Sequence, residues 1–111
     1  MIMTNQSTII SIDCGTQSLR VIIFGEDGSV LAKKQIMYKP CVSPRPGWAE
    51  QDPSVWWGAL CTGVAALKNS HPDLMARAKG IGVTAQRDTV ILIDKDGHVL
   101  RPAITWLDTR K

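Results

Sequence analysis

Cysteine is scarce in this chain, and what there is does not pair by spacing. Cys14, Cys41 and Cys61 stand far apart, form no CxxC unit and are odd in number, so no disulfide framework is expected. His71 and His98 lack the neighbouring ligands that a structural zinc needs. Positive charge is not concentrated either. The chain has 13 basic and 10 acidic residues, Lys33 and Lys34 are adjacent, and no longer basic run exists. A nucleic-acid partner is therefore not expected. No apolar run approaches the roughly 20 residues that span a bilayer, and residues 1–7 lack the basic-then-apolar order of a secretory signal. No membrane partner is expected, and the expected location is cytoplasmic.

What is present suits one modest α/β domain, or part of a larger one, since the chain has 111 residues. Residues 8–13 and 19–24 are rich in Ile and read as strands, with a polar turn at 15–18 between them. The first is apolar at Ile9, Ile10 and Ile12, the pattern of a strand covered on both faces. Glu26-Asp27-Gly28 turns the chain into a third strand over 29–38. Pro40, Pro44 and Pro46 stiffen a linker over 40–52. Asp52 is a good N-cap and Pro53 fits the first helical position. Trp57, Leu60, Val64 and Leu67 then recur at helical spacing, widened by Trp56 and Ala59, so a helix over about 53–69 is expected. Its apolar face is expected to pack on the sheet, with Trp57 inside. A short helix over 73–79 capped by Gly80 should follow. Strands are then expected over 81–84 and 89–94, and an extended segment over 99–106 is broken by Pro102.

The densest chemistry lies at the first turn. A strand delivers Asp13 there. Gly15 lets a ligand approach the backbone, Thr16, Gln17 and Ser18 line the bend, and Arg20 adds charge suited to phosphate. Turn amides can cradle phosphate oxygens, and Asp13 is a natural oxygen donor for hydrated Mg²⁺. The same residue types also make ordinary hairpin turns. Neither the Gly-Lys-Ser/Thr ending of a P-loop nor Gly-x-Gly-x-x-Gly is present. Further on, Gln86, Arg87 and Asp88 form a polar triplet between strand-like segments. They can grip polyol hydroxyls or sit as a solvated ion pair. Trp106 offers a flat face for a sugar, or a core aromatic. Trp48, Trp56 and Trp57 read as structural, and Cys14 as a buried inert thiol.

The run Ile12-Asp13-Cys14-Gly15-Thr16-Gln17-Ser18-Leu19-Arg20 resembles the first phosphate loop of the FGGY carbohydrate kinases. Three more blocks follow in that family's order. They are Pro46-Gly47-Trp48-Ala49-Glu50-Gln51-Asp52-Pro53, Gly80-Ile81-Gly82-Val83-Thr84-Ala85-Gln86-Arg87-Asp88-Thr89, and Pro102-Ala103-Ile104-Thr105-Trp106-Leu107-Asp108-Thr109-Arg110. The resemblance implies the N-terminal portion of a ribonuclease-H-like, actin-like ATPase fold: a three-strand meander, a crossover helix and further strands. It implies that residues 1–111 are a partial N-terminal domain, with the phosphate loop at 13–20, a substrate face at 84–110 and the C-terminal domain missing.

The activity implied is transfer of phosphate from ATP, with Mg²⁺, to a hydroxyl of a sugar or polyol. Asp13, Gly15, Thr16, Gln17, Ser18 and Arg20 would serve the nucleotide, and Asp13 the metal. Gln86, Arg87, Asp88 and Trp106 would serve the substrate. Glycerol kinases carry Gln-Arg-Glu-Thr where this chain has Gln-Arg-Asp-Thr, and xylulokinases tend to Gln-Met-His-Gly, so the substrate stays open. The family's catalytic base is expected outside this chain, and the chain alone is expected to be inactive. The competing expectation is a non-catalytic sugar- or nucleotide-binding module, or an inactive fragment, on the same fold. Self-association through an unpaired sheet edge is also expected.

Overall fold

The computed structural model describes residues 6–110. The readings made above for residues 1–5, and for Lys111, fall outside the described residues. Three antiparallel strands open the fold: β1 (Thr8–Cys14), β2 (Ser18–Gly25) and β3 (Val30–Met37). The chain then crosses through β4 (Glu50–Gln51), α1 (Ser54–Ser70) and α2 (Pro72–Ala76) to β5 (Ala78–Thr84), which lies parallel to β1. The sheet order is β3-β2-β1-β5. A final short strand, β6 (Ala103–Ile104), pairs antiparallel with β4. This is an α/β fold with a mixed sheet and a crossover helix, as in the ribonuclease-H-like arrangement expected.

Side chains alternate across the sheet, and that alternation locates the core. Ile10 and Ile12 on β1, with Leu19, Val21 and Ile23 on β2, face α1 and are buried against its Ala59 and Leu67. The reading of β1 as covered on both faces is corrected, because Ile9 on the opposite face is exposed. Among the described residues, helix α1 packs on one face only, over β2 and β3. Ile81 and Val83 of β5 are about two-thirds exposed, at 64% and 69%. In register they neighbour Ile10 and Ile12, while α1 packs chiefly over β2 and β3.

The expected face of the helix packs inward at Ala59, Leu60, Val64 and Leu67, and Trp57 is its exception. Trp57 is 69% exposed, whereas Ala59, Gly63 and Leu67 are buried. The cause is Gly63. A Cβ built there would lie 3.0 Å from Val21 Cγ2, so the missing side chain lets α1 settle onto β2. Rotating Trp57 inward would lift the helix off that seat. The helix starts at Ser54 with Pro53 in the N-cap place, one residue later than expected, and the Asp52 carboxylate accepts the Ser54 amide at 2.9 Å just ahead of it.

The short second helix ends at Ala76 rather than near Lys79. Gly80 is no cap: it lies inside β5, paired with Ile9. The parallel ladder with β1 claims residues that local signals assigned to a helix end. Beyond β5, residues 89–106 form a loose hairpin in place of the expected strand over 89–94 and extended segment over 99–106. Val90 pairs with Ile104, Leu100 donates to Leu92, and Asp94 binds the turn amides of Asp96 and His98. Pro102 has no amide to continue the ladder. None of the described helices is long and apolar enough to cross a membrane.

Candidate functional site

Register brings the first turn's charges together. Asp13 on β1 pairs with Arg20 on β2, and their side chains meet at 3.5 Å. Both are well exposed, so the pair contributes little to stability. The Asp13 carboxylate faces solvent with 42% of the side chain exposed, rather than turning into the core. Between the strands, the Gly15 amide donates to Ser18 O at 2.9 Å and closes the bend. A Cβ on Gly15 would lie 3.0 Å from that same oxygen, so the bend leaves little room for any larger residue.

The carbonyls of the bend are tied to the protein behind it. Gly15 O accepts the Tyr38 hydroxyl and the Gln86 side-chain amide, the latter at 2.9 Å. Thr16 O accepts Gln51 Nε2 at 3.2 Å, and Gln17 O accepts the Tyr38 amide at 3.1 Å. The Thr16 and Gln17 amides donate to no described residue. In front of the bend lies an open cavity of about 480 Å³, lined by Asp13, Gly15 to Ser18, Arg20, Trp106 and Leu107. Trp106 closes its far wall and donates its indole N–H to Thr16 Oγ1 at 2.9 Å. It is half exposed, so it is a wall of the cavity and not a core aromatic.

Arg87 and Asp88 are not among the residues lining this cavity. Both are exposed at a loop tip, where Asp88 holds a φ of +65°, a conformation uncommon for a residue with a side chain. That loop is nonetheless anchored to the site on two sides. Gln86 reaches Gly15 O, and Thr89 Oγ1 accepts the Trp106 amide at 3.2 Å. Gln86 was expected to face substrate, but its amide is spent on the bend and its Oε1 accepts the Thr89 hydroxyl at 3.3 Å. Beneath the loop, a second cavity of about 220 Å³ is lined by Cys14, Trp56, Ala85, Gln86, Thr89 and Ile91.

Burial raises the Cys14 thiol above its usual range, which the Tyr38 hydrogen bond only partly offsets, so Cys14 is a poor nucleophile. Burial also raises the Tyr38 hydroxyl, with Cys14 and Asp13 adding to the effect, so Tyr38 keeps its proton as a donor.

A charged network that the sequence did not reveal holds Trp106 in place. In the sequence, Asp108 and Arg110 follow Trp106 closely and can either shape the site or sit as surface charges. The Asp108 side chain is in fact fully buried and accepts the Ala49 amide at 2.7 Å and the Arg110 amide at 2.8 Å. Arg110 bridges Asp108 and Glu50, and its guanidinium stacks 3.8 Å from the Trp48 ring centre. Arg101 also pairs with Glu50. Hydrogen bonding to Arg110 holds the Glu50 carboxyl below its usual range despite burial. Burial pushes Asp108 up, but the Ala49 and Arg110 hydrogen bonds outweigh it and leave it lowered. Buried Thr105 adds amide and hydroxyl bonds to Ala49 O at 3.0 and 3.2 Å.

Sequence reasoning did not single out Tyr38, Gln51, Glu50, Arg101 or Leu107. The one usable signal was the Glu50-Gln51 pair, two long polar side chains inside a short stretch that turned out to be buried. Elsewhere, Asp94, Asp96 and His98 have donor atoms within 4.8 Å of one another, but Asp94 is already engaged in closing its own turn.

The description "FGGY family of carbohydrate kinases, N-terminal domain" matches residues 8–111. The xylulose kinase of Klebsiella pneumoniae is 43% identical over 102 residues, which is 91% of this chain and 20% of that protein. The glycerol kinase of Thermococcus onnurineus is 40% identical over 98 residues, 88% of this chain and 20% of that protein. The crystal structure of xylulose kinase from Rhodospirillum rubrum superposes with a TM-score of 0.84 at 37% identity, covering 93% of this chain and 21% of that one. That of Plasmodium falciparum glycerol kinase with ADP gives 0.78 at 32% identity, covering 95% and 21%. The chain thus spans about a fifth of the length of the curated relatives it matches.

Proposed function

Given that the chain belongs to the FGGY family of carbohydrate kinases, we propose that the protein carrying it transfers the γ-phosphoryl group of ATP to a hydroxyl of a sugar or polyol. The observation that supports this most is the cavity in which Asp13, the bend at Gly15 to Ser18, Arg20 and Trp106 converge. Its donor set suits phosphate and Mg²⁺. The bend has unbonded amides, Gly15 keeps the backbone bare, and the Asp13 carboxylate is accessible beside a cation. Amide N–H groups donate to phosphate oxygens, and a carboxylate is the oxygen ligand that Mg²⁺ prefers.

In this reading the Thr16 and Gln17 amides and Arg20 bind phosphate oxygens. Asp13 would hold the hydrated Mg²⁺ that offsets charge on the transferring group. Trp106 presents its ring to the carbon side of the acceptor. Arg87 and Asp88, carried on the loop pinned between the bend and Trp106, bind its hydroxyls. Phosphoryl transfer depends mainly on positioning and charge stabilisation, and these residues supply part of both. The base that takes the acceptor proton is placed outside this chain. Asp108 is buried and committed to Ala49 and Arg110, and cannot serve. The relatives matched include both xylulose and glycerol kinases, so the acceptor class is kept at sugar or polyol.

A coupled ADP-release assay of the full polypeptide over pentoses, hexoses and polyols tests the reading. Turnover with at least one acceptor is expected, and Asp13→Ala should remove it while the far-UV CD spectrum is unchanged. Full turnover by Asp13→Ala would withdraw the metal role. No turnover with any acceptor would favour a binding module.

A further inference from the structure

The side chains behind the bend have no part in the chemistry above, yet they converge on it from three separate elements. Tyr38 follows β3, Gln51 belongs to β4, and Gln86 follows β5. The Tyr38 hydroxyl and Gln86 Nε2 share Gly15 O, using both of its lone pairs. Gln51 Nε2 donates to Thr16 O at 3.2 Å and to Lys39 O at 2.9 Å. Gln51 is buried, so its amide is held in that orientation.

A trans peptide places its C=O and N–H on opposite sides of one rigid plane. Fixing Gly15 O from behind therefore sends the Thr16 N–H forward. Fixing Thr16 O does the same to the Gln17 N–H. No cis peptide bond occurs among the described residues, so the rule applies to both planes. These two amides are the ones that bond to no described residue, and both residues line the cavity. A free hairpin turn would let these planes rotate. Here each is clamped by a donor that no local turn geometry requires.

We propose that Tyr38, Gln51 and Gln86 are positioning residues that set the two peptide planes of the bend so that its amides form a preorganised phosphate site. The inference rests on the phosphate reading of the cavity. It assigns a role to the Glu-Gln of the Trp-Ala-Glu-Gln-Asp-Pro stretch and moves Gln86 from substrate contact to support of the bend. β4 then acts on both halves of the site. Gln51 holds the bend, and Glu50 holds the Arg110 and Arg101 side chains that brace the Trp106 segment.

The test uses the full polypeptide with Tyr38→Phe, Gln51→Met and Gln86→Met, each removing a donor at nearly constant volume. Titration calorimetry with Mg·ATP and with adenosine separates phosphate contacts from base contacts. Loss of orientation at one charge-assisted amide should weaken Mg·ATP binding by about tenfold or more, with adenosine binding unchanged in all three variants and the acceptor KM unchanged in Tyr38→Phe and Gln51→Met; Gln86→Met also frees the loop that carries Arg87 and Asp88, so its acceptor KM should rise as well. Tyr38→Phe removes one hydroxyl, so it keeps the test open if a glutamine variant does not fold. Restoring glutamine's donor with Gln51→Asn or Gln86→Asn should recover little, since the shorter chain falls short of the carbonyl. If Mg·ATP affinity stays at the parent value in the folded variants, the positioning role is wrong. If ATP and adenosine affinities fall together, the residues are merely structural and the role is again wrong. The phosphate reading fails separately, if the ¹⁵N signals of Thr16 and Gln17 in the unaltered protein do not move when Mg·ATP is added.

Discussion

Replacing Gly63 by alanine should destabilise the fold, although alanine is the better helix former. In an exposed helix the exchange would gain about 1 kcal/mol. Here the new Cβ would sit 3.0 Å from Val21 Cγ2 and 3.7 Å from Ile36 Cγ1. Carbon atoms pack best at roughly 3.5–4.0 Å, so α1 must lift or Val21 must shift by about half an ångström. Val21 is fully buried on an inner strand, flanked by Leu19 and Ile23 on the same face, and has no space to enter. Lifting the helix loosens the contacts of Ala59 and Leu67 as well. Overpacking of this kind costs about 1–3 kcal/mol. Set against the helix gain, the net loss should be about 1 kcal/mol. Gly63→Val forgoes the gain and adds bulk, so it should lose about 3 kcal/mol or more. Guanidinium unfolding followed by far-UV CD measures both, provided the m-value is constant. An alanine variant more stable than the parent by about 1 kcal/mol would show that the helix does not rest on Val21 as described.

Three other outcomes are expected. A double-mutant cycle of Trp106→Phe and Thr16→Val should give a coupling of about 0.5 kcal/mol, the low end for a neutral hydrogen bond because Trp106 is half exposed; zero coupling in nucleotide-free protein would deny the contact. Gly47→Ala should lose about 1–2 kcal/mol in the same unfolding assay, since φ there is +81° and a Cβ would meet Thr109 Oγ1 at 2.5 Å; pairing it with Thr109→Gly should recover part of the loss, and no recovery would point to backbone strain alone. Glu50 and Asp108 are both lowered in the folded state, so their contribution is complete above the unfolded carboxylate range of about pH 4 and is lost as pH falls through the lower folded values. Near-UV CD should therefore report loosening of Trp48 from Arg110 only below about pH 4, and a midpoint near neutrality would contradict the network.

The opening meander was readable because each strand carries its own signals. The Ile-rich runs around a Gly-Thr-Gln-Ser bend specify a hairpin locally, and β1 and β2 lie within a residue of the expected limits. The bend's place beside a cavity was readable too, since Asp13, Gly15 and Arg20 combine chemistry with tight backbone. What sequence could not supply was the choice between nearly equivalent packings. Leu60, Val64 and Leu67 were legible as the core face of α1, but Trp57 stands at the edge of that stripe, and the seat of Gly63 on Val21, which has no hydrophobic signature, leaves it outside. Asp108 reads as either site-shaping or a surface charge, because nothing local decides between the two. Its burial depends on an amide and a guanidinium from distant parts of the chain. The same applies to Gln51 and Gln86, whose partners lie 35 and 71 residues away.

The parallel pairing of β1 with β5 has a consequence for synthesis. Thr8 meets Ala78 and Asp13 meets Thr84, so the inner strand's second neighbour leaves the ribosome some seventy residues after it. Translation at about 5–20 residues per second makes that delay several seconds, whereas the β1–β2 hairpin closes in about 1–10 microseconds. Throughout that interval an isoleucine-rich strand offers its unused backbone groups to any nascent neighbour. Substitutions that delay α1 from docking will thus show themselves first as lower soluble yield, before any change in the finished protein.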